Sequence, residues 1–253
     1  MYSIYYIMIC IIQARTTSTR LPNKIFKDIK GKPMIERVVN RLRKSKLIDN
    51  IVIATTVNDT DDIVQNFCEK ENIKFYRGSE NDVLDRYYQT AEKYNAKNII
   101  RITSDCPLIC PKTVDKMIKE YNENSYNHFM MNFKNLDNVN LDTAGSNGGF
   151  PDGFNLEIFS FKLLEQAWLN TVDISDREHV IPYIRRNVDK IIKFDIELKR
   201  NYENLNLKNL HLSVDTQEDL ERTRKIYDKL FVNDYLFTID DVLEYLNNTA
   251  HEN

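Results

Sequence analysis

The chain has 253 residues, a formal net charge of −3 and 42% hydrophobic residues. That length holds one large α/β domain with a sizeable core, and the near-neutral charge excludes a global pull toward nucleic acid, so any anion site must be local. The four cysteines, Cys10, Cys68, Cys106 and Cys110, lack paired CxxC spacing and read as reduced thiols, not as a zinc site or a disulfide framework.

The first twelve residues are apolar but carry no basic leader or small-residue cleavage site, and they are too short to span a bilayer. They predict a cytoplasmic protein with no membrane partner; residues 1–7 read as an extension ahead of the first strand. Met8–Ile12 is that strand. It runs into Ala14-Arg15-Thr16-Thr17-Ser18-Thr19-Arg20-Leu21-Pro22-Asn23-Lys24, which gathers three cations and several hydroxyl and amide side chains. A loop of this kind at the carboxyl end of the first strand of an α/β sheet suits a polyphosphate; the bland alternative is a solvated basic loop.

Pro33 then opens a helix to about Lys46. Strand Ile51–Thr55, helix Asp61–Glu71, strand Ile73–Tyr76, helix Val83–Tyr94, strand Asn98–Thr103 and a helix from Pro111 to about Tyr121 follow. The alternation predicts a Rossmann-like, mostly parallel sheet with ligands at its carboxyl edge. Asn58, Arg77 and Asp105 lie just past strands, whereas Asp49 precedes one and should face away. Tyr87 and Tyr88 read as packing. Beyond residue 122, Asn132–Gly149 reads as a polar loop, Phe154–Phe161 as a strand, Lys162–Asn170 and Arg177–Asn187 as helices, and Ile191–Ile196 as a strand. His211–Val214 is a short strand ending at Asp215, with Thr216 capping a helix through Tyr227; a helix over Ile239–Asn247 closes the chain. The organisation predicted is one domain over 1–253, with an inserted or appended subregion at about 125–200.

Asp105 and Asp215 each follow an apolar run and precede a helix. Two carboxylates on distant strands suit Mg²⁺, which takes one or two carboxylates plus phosphate oxygens and waters; both positions also suit helix N-caps. His179 and Tyr183, at i and i+4, share a helical face. Arg177 and Arg185 are placed to clamp an acceptor carboxylate or phosphate, or to make surface ion pairs. Asp152 and Glu157 flank the next strand and could orient sugar hydroxyls, although Asp152 in Pro-Asp-Gly also suits an ordinary turn.

The string ARTTSTRLPNK resembles the A-R-x-x-S-x-R-L-P-x-K phosphate loop of the cytidylyltransferases that make CMP-sugars, and the likeness extends through Arg77-Gly78-Ser79, Thr103 to Leu108, Phe150 to Gly153, Arg177 to Val180 and Ser213 to Thr216. It is closest to the spore-coat polysaccharide branch. The resemblance implies a nucleotidyltransferase fold and transfer of CMP from CTP to an acidic sugar, with pyrophosphate released, Mg²⁺ as cofactor and a homodimeric assembly. It places Ala14, Arg15, Ser18, Arg20, Lys24, Asn58, Arg77 and Thr103 at the nucleotide. Arg77 would meet the base, and the amides of Thr16 to Thr19 would cradle phosphate oxygens. Arg15, Lys24, Asp105 and Asp215 would serve catalysis, Asp105 and Asp215 as the metal ligands. Asp152, Glu157, Arg177, His179 and Arg185 would bind the acceptor in the 125–200 subregion, which would also carry the dimer contact. Several synthetases of this group carry Gln where this chain has Thr103. The alternatives are an enzyme acting on a phosphorylated acceptor to give a CDP-linked product, and a nucleotide-binding homologue without catalysis. A glycosyltransferase of the GT-A type is disfavoured because no DxD motif follows the fourth strand.

Overall fold

The computed structural model describes residues 7–124, 128–133, 152–154, 156–187, 192–196, 202, 205–207 and 210–250. A seven-stranded sheet runs in the order β5-β4-β1-β6-β8-β7-β9. Its strands are β1 (Met8–Gln13), β4 (Asn50–Thr56), β5 (Lys74–Gly78), β6 (Asn98–Thr103), β7 (His128–Phe133), β8 (Glu157–Ser160) and β9 (Ile192–Ile196). Every pairing is parallel except the two made by β8. β2 (Asp28–Ile29) and β3 (Lys32–Pro33) form a separate antiparallel hairpin that the sequence reading did not anticipate.

The strand order explains where ligands belong. The chain steps outward from β1 to β4 and β5, then returns to place β6 on the other side of β1. The crevice between the carboxyl ends of β1 and β6 is therefore the switch point at which open α/β sheets bind ligands. The reversal also changes the covered face, because parallel crossovers keep one hand. Along β1, Met8, Cys10 and Ile12 pack in one apolar cluster; Ile9 and Ile11 pack in the other. The first cluster takes residues from α1 (Met34–Leu42), α2 (Asp62–Lys70), α4 (Pro111–Asn124), α8 (Gln217–Leu230) and α9 (Ile239–Thr249). The second takes residues from α3 (Val83–Lys93), α5 (Phe161–Asn170) and α7 (Ile181–Asn187). Continuous apolar strands such as Met-Ile-Cys-Ile-Ile are what a sheet buried on both faces requires. Tyr87 is fully buried and Tyr88 stacks on Trp168 with ring centroids 4.1 Å apart, so both are packing residues. All four cysteines are free and buried.

Several boundaries differ from the expectations. The first helix stops at Leu42, not Lys46, because Asp115 gathers the amides of Lys46 and Leu47 into a turn. β5 extends to Gly78, so Arg77 lies inside the strand, paired with Thr55. Asn132 and Phe133 belong to β7; residues 134–149 of the expected loop lie outside the described residues. The strand expected from Phe154 begins at Glu157, and Phe161 opens α5, with Ser160 as N-cap accepting from the Leu163 amide. The helix expected over Arg177–Asn187 is two pieces, α6 (Ile174–His179) and α7. Val180 breaks it at φ 70°. Pro182 cannot donate an amide and disfavours helical geometry at the residue before it. His179 and Tyr183 therefore do not share one helical face. The expected strand His211–Val214 makes a single bridge, His211 to Asp152.

Candidate active site

The β1 loop is shaped from below by a carboxylate. Asp61, fully buried, accepts from the Thr16 amide at 2.8 Å, from Thr16 Oγ1 at 2.7 Å and from Thr56 Oγ1 at 2.5 Å. The Ala14 amide donates to Ala54 O, extending the β1–β4 ladder by one residue. Thr16 then receives the loop's return, with the amides of Ser18 and Asn23 both donating to its carbonyl. The amides of Thr16 and Ser18 are thus bound within the protein, which corrects the expectation that all four amides from Thr16 to Thr19 face a ligand. Ser18 Oγ accepts from the Leu21 amide. Asn23 sits in the left-handed region at φ 54°, a conformation Asn tolerates, and this turn sends Lys24 inward.

Lys24 is the hub. Its ammonium donates to Asp105 Oδ2 at 2.8 Å, Asp215 Oδ1 at 2.9 Å and Val214 O at 3.0 Å. Burial alone would lower its pKa, but the Asp105 charge and the hydrogen bonds to both aspartates outweigh it and hold it above the ordinary lysine value. Asp105 shows the reciprocal balance: burial pushes it up, and the charge and hydrogen bond of Lys24 bring it below the usual carboxylate range. Arg20 reaches Asp215 Oδ1 at 2.8 Å from the exposed side of the loop. The loop after β6 is fastened here too, by Ser104 N to Gln13 O and Val214 N to Asp105 O. Thr103 Oγ1 contacts Cys106 Sγ at 3.2 Å.

Asp215 is not a helix cap. Thr216 caps α8 in a full capping box with Asp219, and Asp219 also accepts from the Asp215 amide at 3.1 Å. The Asp215 carboxylate is left for Lys24, Arg20 and His211. His211, which the sequence reading did not single out, joins two carboxylates: Nδ1 lies 3.2 Å from Asp152 and Nε2 lies 3.2 Å from Asp215. Gly153, at φ 103°, packs directly on the backbone of Leu212 and Ser213 and holds this segment in place. Asp152 is thus tied to the Asp215 segment and not presented alone on a turn. Phe150 and Pro151 of the same motif lie outside the described residues.

A second carboxylate missed from sequence, Glu80, organises the outer rim. It accepts from Arg15 at 3.2 Å, Thr17 Oγ1 at 2.6 Å and Asn58 Nδ2 at 2.5 Å. The Thr17 and Asn58 hydrogen bonds hold its carboxyl below the usual range. Arg15 and Asn58 are therefore at the loop as expected. Arg77 is not placed as a free base reader. Its guanidinium donates to Thr56 O at 2.8 Å, Asn58 O at 2.9 Å and Gln65 at 3.0 Å, and pairs with Asp62 at 2.6 Å. It braces the loop after β4. Asp49, as expected, is at the opposite edge, where it accepts from the Met8 amide.

The expected acceptor residues divide. Arg185 donates to Glu157 Oε1 at 2.5 Å, so these two are together. Arg177 is elsewhere: it pairs with Asp82, the N-cap of α3, and donates to Trp168 O and Thr171 O, joining α3 to the end of α5. That is a structural clamp and corrects its assignment to the acceptor. His179 ends α6 with an exposed side chain.

A mostly parallel sheet with a cationic loop and two aspartates at its switch point is an arrangement that suits a nucleotidyltransferase. Residues 9–236 match the family described as Cytidylyltransferase, and the chain belongs to that family. The spore coat polysaccharide biosynthesis protein SpsF of Bacillus subtilis is 30% identical over 225 residues, 87% of this chain and 85% of that one. A 3-deoxy-manno-octulosonate cytidylyltransferase of Geobacter sulfurreducens is 32% identical over 114 residues, 45% of each chain. The solved structure of a cytidylyltransferase from Leptospira borgpetersenii matches with a TM-score of 0.80 at 28% identity, covering 97% of this chain and 96% of that chain. Among the described residues, no helix is long and apolar enough to cross a membrane.

Proposed function

We propose that the protein transfers CMP from CTP to a hydroxyl of a small acidic or phosphorylated acceptor and releases pyrophosphate, for the building of a glycan. The observation that carries this is the convergence of Lys24, Asp105 and Asp215, from three distant parts of the chain, at the switch point of the sheet. The acceptor oxygen attacks the α-phosphorus in line and pyrophosphate leaves, with no covalent enzyme intermediate. The chain's part is positioning and charge stabilisation. Arg15 and Arg20 are solvent-facing and can turn to the phosphates as forked donors. Lys24 can follow them with its point charge.

Asp105 and Asp215 fit Mg²⁺. Both are oxygen donors already focused on one cation, the Lys24 ammonium. Mg²⁺ takes one or two carboxylates and draws its remaining oxygens from phosphates and water. When bound, the ion supplies charge neutralisation at the phosphates. The name of the Bacillus relative, which refers to spore coat polysaccharide, and that of the Geobacter relative, a sugar-acid cytidylyltransferase, support a glycan context and a sugar-type acceptor.

The test is a pyrophosphate-release screen with each of the four nucleoside triphosphates against acidic and phosphorylated sugars. Release is expected only with CTP. Lys24→Ala should weaken CTP about tenfold more than CMP, the scale of one charged hydrogen bond to the distal phosphates. Equal weakening of both nucleotides removes Lys24 from the phosphates.

A further inference from the structure

The two oxygens of the Asp215 carboxylate have partners of different kinds. Oδ1 takes Arg20 at 2.8 Å and Lys24 at 2.9 Å, whereas Oδ2 lies 3.2 Å from His211 Nε2. The partners on Oδ1 are the cations that turn to a triphosphate in the function proposed above. Once they leave, His211 is the side chain that stays on this carboxylate among the described residues. Asp215 stands between Val214 and the N-cap Thr216, outside any strand or helix, so no regular element holds its side chain in one rotamer.

His211 is itself held from two directions. On one side, Nδ1 lies 3.2 Å from Asp152 Oδ2, and the Leu212 amide donates to Asp152 O at 2.7 Å. Asp152 and His211 also form a parallel bridge, with Gly153 packed on the next two residues. On the other side, Arg222 Nη2 from α8 donates to the His211 carbonyl and, at 2.7 Å, to Asp219 Oδ1. The other oxygen of Asp219 accepts from the Asp215 amide. One arginine thus sets the main chain of both His211 and Asp215. Ser213 Oγ, 3.1 Å from Nε2, fixes the ring further. The His211 and Asp152 side chains are 40% and 41% exposed, against 13% for Asp215. Ion pairs that open contribute little to stability, so stability does not account for the arrangement. What it does is lock an orientation.

We infer that His211 is a positioning residue: backed by Asp152, it keeps the Asp215 carboxylate aimed at the cation position shared with Asp105 when Lys24 gives that position up to Mg²⁺. This rests on the Mg²⁺ reading above and goes beyond it by assigning the outer support of one ligand. Partners that orient a ligating side chain from behind are commonly worth a factor of about 10 to 100 in metal affinity. His211 touches neither phosphate nor acceptor in this role; it acts through Asp215.

The test is Mn²⁺ affinity, read by electron paramagnetic resonance on the full chain with protein in excess over CTP. The wild-type protein with CTP should hold Mn²⁺ more tightly than CTP does alone. His211→Asn should raise the Mn²⁺ dissociation constant about tenfold or more, with a CTP-dependent thermal shift retained as proof of folding. His211→Gln, whose amide NH₂ can stand where Nε2 stands, should recover most of that loss. Combining His211→Asn with Asp215→Asn should weaken Mn²⁺ no further than Asp215→Asn alone, because the first acts through the second; a merely structural role would make the two losses additive. Should His211→Asn not fold, Asp152→Ala takes its place and should weaken Mn²⁺ by a smaller factor. The inference is overturned by unchanged affinity in whichever variant is read, by equal losses in the Asn and Gln variants, or by additive losses. A wild-type protein that holds Mn²⁺ no better than free CTP overturns the Mg²⁺ reading and this inference with it; wild-type binding that the variants leave undiminished overturns this inference alone.

Discussion

The two charged regions of the molecule are balanced in opposite ways. At the carboxyl ends of β1 and β6, a lysine and an arginine converge on two aspartates, and each carboxylate there is paired with a cation. On the face shared by β6 and β8, two arginines, Arg101 and Arg185, meet one buried glutamate, Glu157, and several polar atoms have no partner among the described residues. The first is a set of charges that satisfies itself at rest and can be redirected by a polyanion. The second is set by strand register and leaves polar atoms without partners among the described residues.

The largest effect expected is at the first region. Asp105→Asn should reduce pyrophosphate release by a factor of about 10² to 10³, the scale of losing one preorganised electrostatic group. Lys24 keeps Asp215 and Val214 O, so the unfolding midpoint should change little; full activity in the variant would place the reacting phosphate elsewhere. Next is Gly153→Ala. A Cβ there would lie 2.3 Å from Leu212 C and 2.5 Å from Ser213 N, at a φ of 103°. Backbone atoms cannot swing aside, so the 152–153 segment must part from 211–213, which carries His211 toward Asp215. Urea unfolding should show a loss of about 3 kcal/mol. An unchanged midpoint would mean that the two segments are not held together through this glycine.

How much of this was legible beforehand follows the distance over which each residue acts. Strand-to-loop position marks Arg15, Lys24, Asp105 and Asp215, and the structure gathers them at one edge. Asp61, Glu80 and His211 were not legible, because their roles are hydrogen bonds to residues far away in the chain, and a lone acid or histidine carries no local signal of that. Arg101 did carry one, as a charge in an apolar strand. Arg77 was expected just past its strand, but β5 ends two residues beyond Tyr76, and the guanidinium donates to carbonyls of the loop after β4. That correction is itself testable. Arg77→Ala should cost about 2 kcal/mol from lost hydrogen bonds to two carbonyls. It should leave the preference for CTP over UTP intact. A loss of that preference with no change in stability would return Arg77 to the base.

The smallest effect expected sharpens the contrast between a rim carboxylate and a buried one. Glu80 accepts from Thr17, Asn58 and Arg15, and its folded pKa is depressed chiefly by the Thr17 and Asn58 hydrogen bonds. A depressed carboxylate adds stability that is complete above its unfolded pKa, about 4.3, and is lost as pH falls through the lower folded value. Glu80→Gln should therefore cost less than about 1 kcal/mol at neutral pH, as partly exposed pairs do. The gap to the wild-type protein should close only as the pH drops below about 4. Urea midpoints at neutral and acidic pH measure it. Glu157→Gln should behave differently, since removing the one carboxylate between two arginines leaves both without their partner and costs more than Glu80→Gln at neutral pH. Equal costs for the two variants would mean that the β6–β8 face is as open to solvent as the rim, and the contrast between the two charged regions would fail with it.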